Sequence, residues 1–100
     1  MDINLQFVQT KADPKAETLV HEKLSDLEKK FSWIIRADVF FKEEKDTYGK
    51  GKICEIRLSV PGARIHASSD EASFAAAVAE TIRDLERQLR SKKDKWEPQN

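Results

Sequence analysis

Arg64-Ile65-His66-Ala67-Ser68-Ser69-Asp70 marks a change of period in the chain. From Ala63 to about Ser69 apolar and polar side chains alternate, with Ile65 and Ala67 on the inner side, the pattern of a short half-buried strand. Asp70 is then placed to cap a helix. From Glu71 to about Lys95 the apolar residues fall three and four apart, at Ala75, Val78, Ile82, Leu85 and Leu89, which predicts a long amphipathic helix closed by Trp96 and Pro98. A strand that feeds directly into a helix with one apolar stripe needs a sheet face for that stripe to cover.

The rest of the chain supplies the sheet. Pro61-Gly62 is a compact turn signal, and before it Cys54, Ile56, Leu58 and Val60 alternate with Ile53, Glu55, Arg57 and Ser59. Lys45 to Gly51 is polar and punctuated by glycine, which predicts a turn. A strand over about Ile35 to Glu44 precedes it, with Ile35, Ala37, Val39 and Phe41 expected inward. Asp13-Pro14 reads as a helix cap and first position. Ala16, Leu19, Val20, Leu24, Leu27 and Phe31 then give an amphipathic helix over about 14–31, with Lys23 beside Leu24 on its stripe. Ile3, Leu5 and Phe7 alternate with Asn4 and Gln6 in a first strand. The order is β-α-β-β-β-α. A strand–helix–strand start makes the first two strands parallel neighbours through a right-handed crossover, and the short later turns make the others antiparallel. Every strand alternates, so one sheet face is buried and both helices cover it. The expected architecture is an α+β two-layer sandwich, a four-stranded mixed sheet with two helices on one face, formed by residues 1–100 as one domain.

Composition narrows the function. The chain is 39% apolar and 36% charged, as a globular domain with a highly charged surface should be. It holds no run near the roughly 18 apolar residues that span a bilayer. Its N-terminus lacks a basic and apolar leader, and the lone Cys54 excludes an internal disulfide. These features lead us to expect the cytoplasm. The two histidines, His21 and His66, lie far apart without a neighbouring ligand at metal spacing, and none of the three glycines opens a helix as a phosphate loop does. Cys54 falls on an inward strand position and reads as a small core residue. No carboxylate pair has the apolar surroundings that raise a pKa for acid–base work. Neither an enzyme nor a cofactor is expected.

Eighteen basic residues balance eighteen acidic ones, so a polyanion partner requires segregated charge. The last helix provides it: Arg83, Arg87, Arg90, Lys92, Lys93 and Lys95 stand against Asp84, Glu86 and Asp94. A plain solvated helix also accounts for much of this, because Glu80–Arg83, Asp84–Arg87 and Glu86–Arg90 are spaced for local ion pairs, and the lysines complement the helix dipole. Lys29 and Lys30 end the first helix, and with both helices on one face their cationic ends can share a surface. Phe40 is expected to face outward near Ile53 on the open side of the sheet. That arrangement suits a small cross-strand contact, base stacking or a dimer seam. Trp33 is expected to pack under the loop after the first helix.

Taken together, Ile65-His66-Ala67-Ser68, the Ala75–Val78 stretch, Leu85-Glu86-Arg87-Gln88-Leu89 and Lys93-Asp94-Lys95 resemble the ribosome hibernation factor family, which comprises hibernation promoting factor and the ribosome-associated inhibitor called protein Y. Lys23-Leu24, Leu27-Glu28 and Phe31 resemble its first helix, and Lys42-Glu43-Glu44-Lys45 the end of its second strand. The resemblance spans nearly the whole chain and is nearest the short type, without the second domain of long members or the extended tail of protein Y. It implies a translation inhibitor that binds small-subunit rRNA in the channel used by messenger RNA and by A- and P-site tRNA, and some members pair ribosomes into inactive dimers. It implies no DNA, membrane or small-molecule partner, and a monomer off the ribosome. Lys23, Arg87, Lys93 and Lys95 match the family pattern. Arg83, Arg90 and Lys92 join them as part of the same surface, and Lys29 and Lys30 as the end of the first helix. The competing expectation, of another class, is a protein-interaction module that dimerises through Phe40 and Ile53.

Overall fold

The structure, a computed structural model, describes residues 1–45 and 48–96, the last two as backbone only. The expected closing roles of Trp96 and Pro98 lie outside the described residues and side chains. The elements are β1 (Asp2–Val8), α1 (Pro14–Lys30), β2 (Arg36–Glu43), β3 (Lys52–Val60), β4 (Ala63–Glu71) and α2 (Phe74–Trp96). The strands lie in the order β1-β2-β3-β4; β1 runs parallel to β2, and the other neighbours are antiparallel. This is the α+β sandwich that the alternation predicts.

Register turns that alternation into a layer. Ile3, Ala37, Leu58 and Ile65 form one row across the sheet, Leu5, Val39, Ile56 and Ala67 the next, and Phe7, Phe41 and Cys54 lead a third. Against these rows α1 buries Ala16, Val20, Leu24 and Leu27, and α2 buries Phe74, Ala77, Val78, Ile82, Leu85 and Leu89. Each fully buried aliphatic side chain contributes about 1.5–3 kcal/mol. Phe41 joins the layers at one end, stacked on Phe7 at 5.0 Å and edge-on to Phe74 at 5.1 Å. Thr81 is fully buried, and its hydroxyl lies 3.1 Å from the Cys54 carbonyl and 2.8 Å from that of Ala77. The polar atom is therefore not orphaned in the core. Trp33, in the loop after α1, meets Phe31 edge-on at 5.8 Å.

Helix α1 starts as the sequence indicates: Asp13 Oδ1 accepts the amides of Lys15 and Ala16, and Pro14 follows as the first helical residue. Three expectations need correction. Asp70 does not cap α2. It belongs to β4, which pairs with β3 over the full length of both strands, and its carboxylate accepts the Gly51 amide at 2.7 Å. The cap is Ser73, whose Oγ accepts the Ala76 amide. The helix therefore begins later, and Phe74 and Ala77 face the core where Ala75 was expected. Ile35 also points outward, 55% exposed, while Ile34 is buried. A turn closed by the Ile34 amide on the Phe31 carbonyl breaks the alternation before β2 begins.

Candidate nucleic-acid interface

The two helices pack side by side on the inner face of the sheet, and the seam between them collects cations. Lys23 on α1 and Arg83, Arg87 and Arg90 on α2 line one groove of about 330 Å³, with Glu86 within it. An adjoining depression at the helix ends is lined by Lys30, Phe31, Arg90, Lys93 and Asp94. Lys23 and Lys30 are two helical turns apart and so share a face of α1. Lys29 stands elsewhere, with His21, Glu22, Ser25 and Asp26, and its ammonium is 3.8 Å from Asp26. Its expected place on the shared cationic surface is not where the structure puts it, because one residue of helix turns a side chain by about 100°. Lys92 is partly buried, one position round the helix from Lys93. The expected contribution of Lys95 lies outside the described side chains.

The local ion pairs read from sequence form. Arg83 reaches Glu80 at 2.8 Å, Arg87 reaches Asp84 at 3.6 Å, and Arg90 reaches Glu86 at 2.5 Å. All three arginines remain about two-thirds exposed or more, which makes such pairs weak and exchangeable. An ion pair crosses the seam: Lys30 Nζ lies 3.1 Å from Glu86. Glu86 thus takes a cation from each helix, and it aligns the two cationic ends. Sequence reasoning missed this cross-link; the spacing of Lys23 and Lys30 was the available signal. On the other flank of α2, the Gln88 amide donates to the His66 carbonyl and holds the helix to β4.

The outer sheet face is built differently. Phe40 lies opposite Glu55, and Ile53 opposite Lys42, so the two apolar residues are diagonal rather than directly paired. The Arg57 guanidinium sits 5.4 Å from the centre of the Phe40 ring and covers it. Glu55 accepts from Lys42 at 3.0 Å and contacts His66 Nε2 at 2.8 Å. Desolvation, the largest influence on the Glu55 carboxyl, acts to raise its pKa. The hydrogen bonds from Lys42 and His66 and the nearby charges of Lys42 and Arg57 outweigh it and hold the group below its ordinary value. A charged lattice of this kind makes a poor apolar dimer seam. Cys54 is buried, and burial pushes its thiol up to about 12, far from a nucleophile's range. No cluster of three or more metal-ligating side chains occurs among the described residues. No helix among them is long and apolar enough to cross a membrane.

Fold and groove together define a class: small two-layer α+β domains that present helix-borne charge along an interhelical seam. Within it, this chain belongs to the family described as sigma 54 modulation protein / S30EA ribosomal protein, which matches residues 3–97. The ribosome hibernation promoting factor of Klebsiella oxytoca is 34% identical over 95 residues, covering 95% of this chain and 96% of that protein. The fold is shared with a ribosomal subunit interface protein from Coxiella burnetii, with a TM-score of 0.81 at 22% identity over 94% of this chain and 99% of that one. It is shared too with the N-terminal domain of Thermus thermophilus Protein Y, with a TM-score of 0.77 at 22% identity over 91% and 98%. The family is one of ribosome hibernation and modulation factors, a non-enzymatic class.

Proposed function

We propose that this chain is a ribosome hibernation factor, a single ribosome-binding domain that lays the α1/α2 seam on rRNA of the small subunit in the mRNA–tRNA channel. Occupancy excludes messenger RNA and A- and P-site tRNA and so silences translation. The observation that carries the reading is the convergence of Lys23, Arg83, Arg87 and Arg90 in one groove, continued by Lys30 and Lys93 at the helix ends. Cations spread along a groove neutralise successive phosphates and fix position without reading bases. A-form RNA, recognised by shape and backbone, suits such a surface. Family membership and the hibernation promoting factor relative support the same assignment. Off the ribosome the chain is a monomer in the cytoplasm, and its partner is rRNA rather than DNA, a membrane or a small molecule.

The test is competition on purified small subunits. Labelled initiator tRNA bound with messenger RNA is expected to be displaced by the wild-type chain in proportion to its occupancy, and not by Arg87→Glu/Lys93→Glu. Subunits that bind the chain and tRNA together would place the domain elsewhere and remove the exclusion mechanism.

A further inference from the structure

Cations stand on both faces of the sandwich at one and the same end. On the helix side that end carries Lys30, Arg90 and Lys93. On the outer side of the sheet it carries Arg36, Arg57 and Arg64. We propose that these three arginines form a second rRNA contact, on phosphates of a different RNA segment, so that this end is held in an RNA cleft rather than laid on one RNA surface. The inference rests on the ribosomal reading above and extends it to the face that the groove leaves open.

Register places the residues. Arg36, Ser59 and Arg64 form one row across β2, β3 and β4, and Asp38, Arg57 and His66 form the next. Neighbouring strands lie about 4.8 Å apart, so Arg36 and Arg64 stand about 10 Å from each other at the backbone, on either side of Ser59. Ala37, Leu58 and Ile65 are in the core, which puts the alternate positions Arg36, Ser59 and Arg64 on the outer face. Backbone bonds tie that row to the helix end. The Ile34 amide closes a turn on Phe31, the residue after Lys30, and the Ile35 amide donates to the Ser59 carbonyl at 2.9 Å.

Exposure sorts the charges on this face. Arg36 and Arg57 are 51% and 57% exposed, whereas the carboxylates paired with them, Asp38 and Glu55, are 24% and 13% exposed. An approaching ligand therefore meets guanidinium before carboxylate. Arg64 is exposed and forms no ion pair or hydrogen bond with any described residue. A lattice of surface ion pairs accounts for Arg36 and Arg57 but gives Arg64 nothing to do. Asp2 is the other acid of the first row, at the β1 edge beside Arg36, and Asn4 completes the second. Neither row holds an apolar side chain, so a protein hot spot would lack its anchor, while the planar fork of arginine matches a phosphate in two hydrogen bonds. The outer arginines and the groove cations look in opposite directions across a helix layer about 10–12 Å thick. An RNA segment seated along the groove is thereby kept from the outer face, and a second segment is required. Two such contacts on one rigid body act bivalently, so loss of either weakens the whole.

The experiment measures binding of the full chain to small subunits across a salt series for wild type and Arg64→Gln. Arg64 is exposed and makes no contact that folding needs, so the variant keeps the fold. Its log–log salt slope should be shallower by about 0.7–0.9, which is about a 5-fold loss of affinity at 0.1 M salt. Location is read by photocrosslinking from an aryl azide attached through Arg64→Cys, beside one attached through Arg83→Cys in the groove. Cys54 is buried and stays unlabelled. The two probes should crosslink to two distinct segments of rRNA. Wild-type affinity and slope in Arg64→Gln, a crosslink from position 64 to ribosomal protein alone, or both probes on one RNA segment overturns the outer contact and leaves the groove reading intact. Wild type that fails to bind subunits at all overturns both.

Discussion

Glu86→Gln separates the two jobs that the groove imposes on one carboxylate. Glu86 receives Lys30 from α1 at 3.1 Å and Arg90 from its own helix at 2.5 Å, and it is only 23% exposed within the cationic groove. For stability it is a modest asset. Both cations are more than half exposed, and such pairs are worth roughly 0.2–1 kcal/mol each, so the variant should lose at most about 2 kcal/mol. For RNA it is an obstacle, since a carboxylate about 4 Å from an incoming phosphate costs about 1 kcal/mol even at the dielectric of water, a factor of about five in affinity. The variant should therefore be slightly less stable to urea yet bind small subunits several-fold more tightly. Its log–log salt slope should steepen by about 0.7–0.9 for each freed cation that takes a phosphate. Binding unchanged or weakened in Glu86→Gln, with the fold intact, would refute the view that RNA phosphates replace Glu86 at Lys30 and Arg90.

Two further outcomes follow from the titrating groups. Glu55, whose carboxyl is held below its ordinary value, stabilises the native state above the unfolded carboxylate range and loses that contribution as pH falls through its folded value. The unfolding free energies of wild type and Glu55→Gln in urea should thus differ at pH 7, by roughly 1 kcal/mol, and converge towards pH 3; a constant offset would contradict the charge lattice. Cys54, raised from 9.0 to about 12 chiefly by burial, favours the folded state below pH 9 and loses that contribution as pH rises towards 12. A thiol reagent at pH 8 should modify it only at the rate of unfolding, and immediate labelling of native protein would show that the thiol is not sealed in the core.

Strands and helices were legible because one-sided burial writes its period into the chain. Cys54, Ile56, Leu58, Ile65 and Ala67 all face the core as their alternation requires. The errors fall at element ends, where backbone pairing overrides side-chain signals. Asp70 looks like a cap but is held in β4 by pairing along the whole of β3, and Ile35 looks inward but follows a turn that resets the alternation. The cations of α2 and their acidic neighbours were also legible, since i,i+3 and i,i+4 spacing on one helix is a local property. Which α1 lysines join them was not. That depends on how the helices sit against each other, and the packing selects Lys23 and Lys30 while turning Lys29 towards Asp26. The outer sheet face shows the same limit, because register sets Phe40 against Glu55 and lets Arg57 cover it.

Co-sedimentation with purified small ribosomal subunits across a salt series, with wild type beside Arg87→Glu/Lys93→Glu, tests the central claim most directly. The account predicts that wild type pellets with subunits at low salt. Its affinity should fall by about 0.7–0.9 log units per log unit of salt for each phosphate engaged, and the double variant should stay in the supernatant. Wild type that stays in the supernatant at low salt, or a double variant that binds as wild type does, would contradict it.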